Sequence, residues 1–188
     1  MKQNRRPASF NVVPGDTEGI TWALPEGAIA RFGKGRSHKI AVSPNSEYFV
    51  VGTLLGLWWY DMSSKSPIAL WETERGMITN VVFSPNGEWI AIGNFDGIIK
   101  VLDAQSGECL AQMKRMQEQN LYWKTMFSPD GKWILTANQK GIVEVLDVHR
   151  GVCVAQMNRG EREEISADIT HLEFSPNGQY VAATAHNL

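Results

Sequence analysis

Apolar residues in this chain come in short runs broken at regular intervals by the same polar turn. The runs "IAVS", "NVVFS", "KTMFS" and "HLEFS" each lead into a turn, "PNSE", "PNGE", "PDGK" and "PNGQ". A second run follows each turn: "YFVVGT", "WIAIGN", "WILTAN" and "YVAATA". Three of the four units add a third run ("LWWYD", "IIKVLD", "IVEVLD") and a fourth ("PIALWE", "ECLAQM", "VCVAQM"). Val, Ile, Trp and Tyr dominate these runs, as a pleated buried surface requires. The runs are short and no window of helical period competes, so the pattern predicts strands. In the turns, proline presets φ, Asn or Asp suits the next position, and Gly takes the left-handed conformation that rejoins the strand. Ser46 stands where the other three turns have Gly, so the first turn is expected to be looser. Asp96-Gly97 is a favoured pair for a tight hairpin; Lys140-Gly141 and Leu55-Gly56 keep only the Gly.

The Ser-Pro pairs stand at Ser43-Pro44, Ser84-Pro85, Ser128-Pro129 and Ser175-Pro176. A period in the forties marks a stack of repeated sheets. Tyr48, Trp89, Trp133 and Tyr180 occupy one matching position and are expected in the core between neighbouring sheets. Trp58 and Trp59 are adjacent on a strand, so they point to opposite faces and at least one contacts the next sheet. Cys109 and Cys153 also match. Equivalent positions in stacked units lie beyond the roughly 7 Å Cα limit for a disulfide, and both read as small buried apolar residues.

Four antiparallel strands per unit, with the "FSPDG…G-x-x-x-V-L-D" phrasing, resembles the WD-repeat (WD40-like) β-propeller family over about residues 27–188. The family's usual Trp-Asp ending of the third strand stands here as Tyr60-Asp61, Leu102-Asp103 and Leu146-Asp147. The usual Gly-His pair before the first strand is absent from every unit. The repeats are therefore degenerate and resemble bacterial propellers; Tyr60, Leu102 and Leu146 are expected to pack apolar where the family places a polar network. The resemblance implies an all-β fold: a propeller of four-stranded antiparallel blades, with about three complete blades and a partial fourth, incomplete or open.

On that reading residues 1–19 form a flexible tail and residues 20–188 one partial propeller domain. Its units cover approximately 37–73, 77–114, 120–158 and 168–188, with 27–32 ("GAIARF") a lone outer strand that aligns with "ECLAQM". Either the chain is a piece of a longer propeller, or a four-blade unit that closes on itself or with a second copy. Repeat arrays normally end in a cap, which favours the first reading. Open blade faces and a strand edge near Val181–Thr184 would then offer self-association.

Composition narrows function mainly by exclusion. A formal net charge of −2 gives no footprint for nucleic acid or an anionic membrane. No apolar run is long enough to span a membrane or serve as a secretory signal, so a cytoplasmic location is expected. The histidines, His38, His149, His171 and His186, have no metal spacing, and no nucleophile elbow is present. His149 reads as a solvated turn residue and His171 as a structural histidine near the channel. "RFGKGRS" at 31–37 fails the phosphate-loop spacing and precedes a strand, so it reads as a connector. The charged stretch 158–168 is the longest loop between units; it reads as solvated, or as facing a partner. No catalytic residue, metal or cofactor is expected.

In the resembled family, two positions per unit contact partners at one end of the ring. One lies just inside the first strand: His38, Thr79, Trp123 and Thr170. The other precedes the hairpin between second and third strands: Leu54, Phe95 and Gln139. Leu54, Phe95 and Trp123 would make an adhesive rim, since exposed aromatics anchor partners. The expected function is a non-enzymatic scaffold that binds a protein or peptide on this rim. The alternatives are a fragment of a propeller hydrolase or lyase, with His38, His171, Glu173 and Asp168 as its only channel candidates, or a fragment that contributes blades without activity of its own.

Overall fold

The computed structural model describes residues 37–73, 77–94, 96–114, 122–138, 141–157 and 167–187. They form strands and turns, with no helix among the described residues. Blade 1 comprises β1 (Ser37–Val42), β2 (Tyr48–Thr53), β3 (Leu57–Asp61) and β4 (Pro67–Trp71). Blade 2 comprises β5 (Ile78–Phe83), β6 (Trp89–Asn94), β7 (Ile98–Asp103) and β8 (Cys109–Lys114). Blade 3 comprises β9 (Tyr122–Phe127), β10 (Trp133–Asn138), β11 (Val143–Asp147) and β12 (Val152–Met157). A fourth sheet holds β13 (Ala167–Phe174) and β14 (Val181–Asn187). Within each sheet the strands pair antiparallel in chain order. The result is an incomplete β-propeller. The proposed lone strand at 27–32, the tail, most of the 31–37 connector and most of the 158–168 loop lie outside the described residues.

One serine device makes every turn between first and second strands. The Ser43 hydroxyl donates to Asn45 Oδ1 at 2.7 Å and accepts the Tyr48 N–H at 3.0 Å. Ser84, Ser128 and Ser175 repeat the pair with Asn86 and Trp89, Asp130 and Trp133, and Asn177 and Tyr180. Gly87, Gly131 and Gly178 take φ of 73°, 75° and 70°. The first turn is not looser than these. Ser46 adopts φ 58°, and its N–H reaches Ser43 O at 2.8 Å, against 2.9 Å for Gly87. The hydrogen bonds around Ser43 hold a non-glycine residue in the left-handed region, which costs about 1 kcal/mol.

The aspartate that ends each third strand has a local task. Asp61 Oδ1 accepts the N–H and hydroxyl of both Ser63 and Ser64. Asp103 Oδ1 accepts the N–H groups of Gln105 and Ser106 and the Ser106 hydroxyl, and Asp147 accepts the His149 and Arg150 N–H groups. The residues before them, Tyr60, Leu102 and Leu146, are buried in apolar clusters.

Blades stack through alternating faces. Between blades 1 and 2, Val50, Leu57, Trp59 and Trp71 meet Val81, Phe83, Ile90 and Ile92. Trp59 lies 4.6 Å from Trp71 and 5.6 Å from Phe83, measured between ring centroids. Trp58 points the other way, into the cluster of Phe49, Val51 and Tyr60. Ala91, Ile99, Val101, Phe127, Ile134 and Leu146 join blades 2 and 3. Leu135, Ala137, Val143 and Phe174 join blade 3 to the β13–β14 sheet.

Two sequence expectations fail at the periphery. Cys109 and Cys153 are exposed free thiols, not buried apolar residues. They sit on the fourth strands, which have a neighbour along one edge only, and β12 is exposed along its whole length. Tyr48, Trp89 and Trp133 are partly buried against the clusters as expected, but Tyr180 is 71% exposed. Among the described residues no blade follows the β13–β14 sheet to cover it.

Candidate rim site

Strand direction sorts the blade ends. The serine turns and the aspartate turns share one end. The starts of the first strands and the hairpins between second and third strands share the other. Ser37 pairs with Thr53, Ile78 with Asn94, Tyr122 with Asn138 and Ala167 with Asn187, so each hairpin begins beside a first-strand start.

Every first strand carries one unpaired extra residue at that end. The register skips between Ser37 and Lys39, between Ile78 and Asn80, and between Ile169 and His171; opposite Ala137 and Asn138 it skips from Lys124 to Tyr122. The skipped residues are His38, Thr79, Trp123 and Thr170. These are the four first-strand positions expected to contact a partner. A bulge bends the strand, raises its local twist and re-aims the side chain it inserts. The sequence placed these residues at a strand start; pairing register shows that each stands outside the ladder.

Their surroundings differ. Thr79 is only 8% exposed and its hydroxyl has no hydrogen-bond partner. Thr170 is half-buried, and its hydroxyl lies 2.9 Å from that of Thr184, across the sheet. His38 and Trp123 are placed on β1 and β9, and their side chains lie outside the description. Of the hairpin set, Leu54 is 49% exposed, beside Leu55 at 58%. Phe95 and Gln139 lie outside the described residues.

The hairpin that presents Leu54 is built by Thr53, whose hydroxyl donates to Gly56 O at 3.0 Å and accepts the Leu55 N–H at 3.1 Å. Asn94 serves the same turn in blade 2: its Oδ1 accepts the N–H groups of Asp96 and Ile98, both at 3.0 Å. At both hairpins a side-chain acceptor thus supplements the backbone bonds from the Thr53 N–H to Gly56 O and from the Gly97 N–H to Asn94 O. Leu55 was missed as a rim residue because Leu55-Gly56 reads only as a turn.

The opposite end offers little free chemistry. The Asp61 carboxyl is held down at about 2, first by the Ser63 hydroxyl and then by the Ser64 N–H and hydroxyl. Burial pushes the Asp103 carboxyl up, but the Ser106 N–H and hydroxyl and the Gln105 N–H outweigh it and keep it below its ordinary value. Asp130 is lowered first by the Ser128 hydroxyl and then by the Lys132 N–H. These carboxylates direct their lone pairs at their own turns. His149 stands edge-on to Trp89 at 5.1 Å between centroids, as an exposed turn residue. His171 is exposed on β13. Among the described residues no group of three His, Cys, Asp or Glu side chains is arranged to hold a metal. No helix among them is long and apolar enough to cross a membrane.

The family model of the anaphase-promoting complex subunit 4 WD40 domain matches residues 63–126. That span runs from the turn closing β3 through all of blade 2 into β9. The match covers the one described blade with complete blades on both sides, and it agrees with the four-stranded sheets, the repeated serine turns and the stacking of blade on blade. In these features the chain is similar to the WD40-like repeat family.

Proposed function

We propose that the chain is a non-enzymatic scaffold that binds a protein or peptide on the blade end carrying the four bulges. WD40 domains generally bind protein partners. The observation that supports this surface is that His38, Thr79, Trp123 and Thr170 are each the residue left out of the strand ladder, at one end of four successive sheets. A bulge leaves the inserted residue out of the ladder and re-aims its side chain, which suits recognition more than stability. Leu54, with Leu55, adds apolar area beside the first bulge; Phe95 and Gln139 complete the proposed set. Burial of a few apolar and aromatic side chains from this set supplies most of the affinity, with polar bulge residues fixing orientation.

The test is capture from lysate followed by mass spectrometry. The full chain is compared with a Leu54→Ala, Trp123→Ala variant and with a Glu47→Ala, Lys132→Ala variant at the opposite end. Loss of a captured protein by at least about tenfold in the rim variant alone supports the reading, as expected when anchor side chains are truncated. Loss only in the opposite-end variant overturns it.

A further inference from the structure

Directly inside the bulges, the four first strands place a second set of equivalent residues: Lys39, Asn80, Lys124 and His171. Each is the first residue to rejoin the ladder. Lys39, Asn80 and Lys124, together with Thr125, Met126 and Leu172, line a cavity of about 260 Å³ where the innermost strands of all four sheets converge. The two lysines come from blades 1 and 3, far apart in sequence, and meet across Asn80 of blade 2. No carboxylate is among the lining residues, and among the described residues neither ammonium group has an ion-pair partner. Asn80 Oδ1 already accepts the Val81 N–H at 2.9 Å. The amide nitrogen, a donor, is the end it has left to offer. The two ammonium groups and this amide nitrogen therefore favour an anion, while the Thr125 hydroxyl lies 3.4 Å from that of Thr136.

The near-neutral composition conceals this arrangement. Clefts lined by one sign of charge with apolar walls focus their field into the opening, and Met126 and Leu172 are the apolar walls here. The volume is below the roughly 300–1,000 Å³ of ordinary small-molecule pockets. It suits a carboxylate on a short stem and excludes a bulky ligand. We infer that this cavity takes an acidic side chain, Glu or Asp, of the peptide or protein that sits on the rim; the partner is therefore an acidic segment. This rests on the rim-binding reading, since His38, Thr79 and Trp123 directly precede the lining residues Lys39, Asn80 and Lys124 along their strands, and a segment lying over that end would lower one side chain into the cavity.

The experiment uses the full chain and a fluorescein-labelled octaglutamate peptide, with octalysine as the opposite-charge probe, followed by fluorescence anisotropy at roughly 0.1 M ionic strength, where the Debye length is about 10 Å. Octaglutamate binds and octalysine does not. Lys39→Gln with Lys124→Gln weakens octaglutamate about tenfold, the sum of two modest ion pairs. Lys65→Gln with Lys132→Gln, the same charge change at the opposite blade end, stays within about twofold because screening removes distant charges. Circular dichroism melting checks that each variant is folded, and Lys39→Gln alone, at an exposed residue, gives the same direction if the double variant is not. Equal weakening by the two double variants, or binding of octalysine as tight as octaglutamate, overturns the proposal. If Leu54→Ala, Trp123→Ala leaves lysate capture intact while the axial lysine variant loses octaglutamate, the rim reading fails and the axial site stands. If the rim variant loses capture and the axial variant keeps octaglutamate, only the axial proposal falls.

Discussion

The seam between blades 1 and 2 and the outward face of the β13–β14 sheet are built from matching sequence positions. In the seam, Tyr48 lies edge-on to Trp59, which also meets Trp71 and Phe83. On the outward face, Tyr180 occupies the position of Tyr48 and is 71% exposed. The turns before the two tyrosines have the same geometry, since Ser43 and Ser175 hold their neighbours with nearly equal hydrogen bonds. At the other extremity, Ile40 and Val42 of β1 stand where β5 has Val81 and Phe83. The β5 pair is buried against blade 1, whereas Ile40 and Val42 are exposed. Local structure is thus specified blade by blade, while burial is a property of neighbouring pairs, as expected of quasi-one-dimensional repeats.

Three measurements press on that contrast. The largest effect is expected for Trp59→Ala. Trp59 is 2% exposed, and truncating a buried tryptophan costs about 3–5 kcal/mol in lost transfer energy and cavity formation; denaturant titration reads it. A loss below about 1 kcal/mol would mean that the seam does not hold blade 2 on blade 1.

A smaller effect separates the serine turns. Ser128 is fully buried, so Ser128→Ala leaves the Trp133 N–H without its acceptor and costs about 1–3 kcal/mol, while the exposed Asp130 carboxylate keeps the Lys132 N–H. Because that hydroxyl is the first cause of the depressed Asp130 titration, carbon NMR of the variant should find this carboxyl nearer its ordinary range. Ser175→Ala removes the same bonds from a solvated turn, where water replaces them, and costs about 0.5 kcal/mol. Equal losses at the two sites would break the contrast between enclosed and open blades.

The smallest effect is expected at Tyr180→Ala, within about 0.5 kcal/mol, as for surface positions away from packed features. A loss comparable with that of Trp59→Ala would show that the outward face is covered in solution, and analytical ultracentrifugation of the same samples would show whether a second copy covers it.

Much of this was legible in the sequence because turn chemistry is local. Proline, Asn or Asp, and Gly at fixed offsets from a serine define a turn wherever they occur, and alternating apolar runs define the strands between. The same locality misled at Ser46: missing glycine suggested a loose turn, yet the serine hydroxyl and the strand pairing beyond it hold the conformation. The cysteines misled for the opposite reason. "ECLAQM" and "VCVAQM" read as buried strands, but a fourth strand is the outermost of its sheet; β12 is exposed along its whole length, and on β8 Ala111 is buried while Cys109 is exposed. Of the rim residues, the sequence placed His38, Thr79, Trp123 and Thr170 by their distance from the serine turn; that all four are bulges needed the pairing register.

The sequence by itself determined the strands, the turns, the four-stranded unit and its repetition, since each depends on residues within one unit. Tertiary structure decided which matching positions are buried, which residues leave the ladder, and that Lys39 and Lys124 face one cavity across Asn80. Those outcomes depend on which blade stands next to which. Two lysines separated by two blades of sequence share an electrostatic field only after stacking has brought their strands to a common axis.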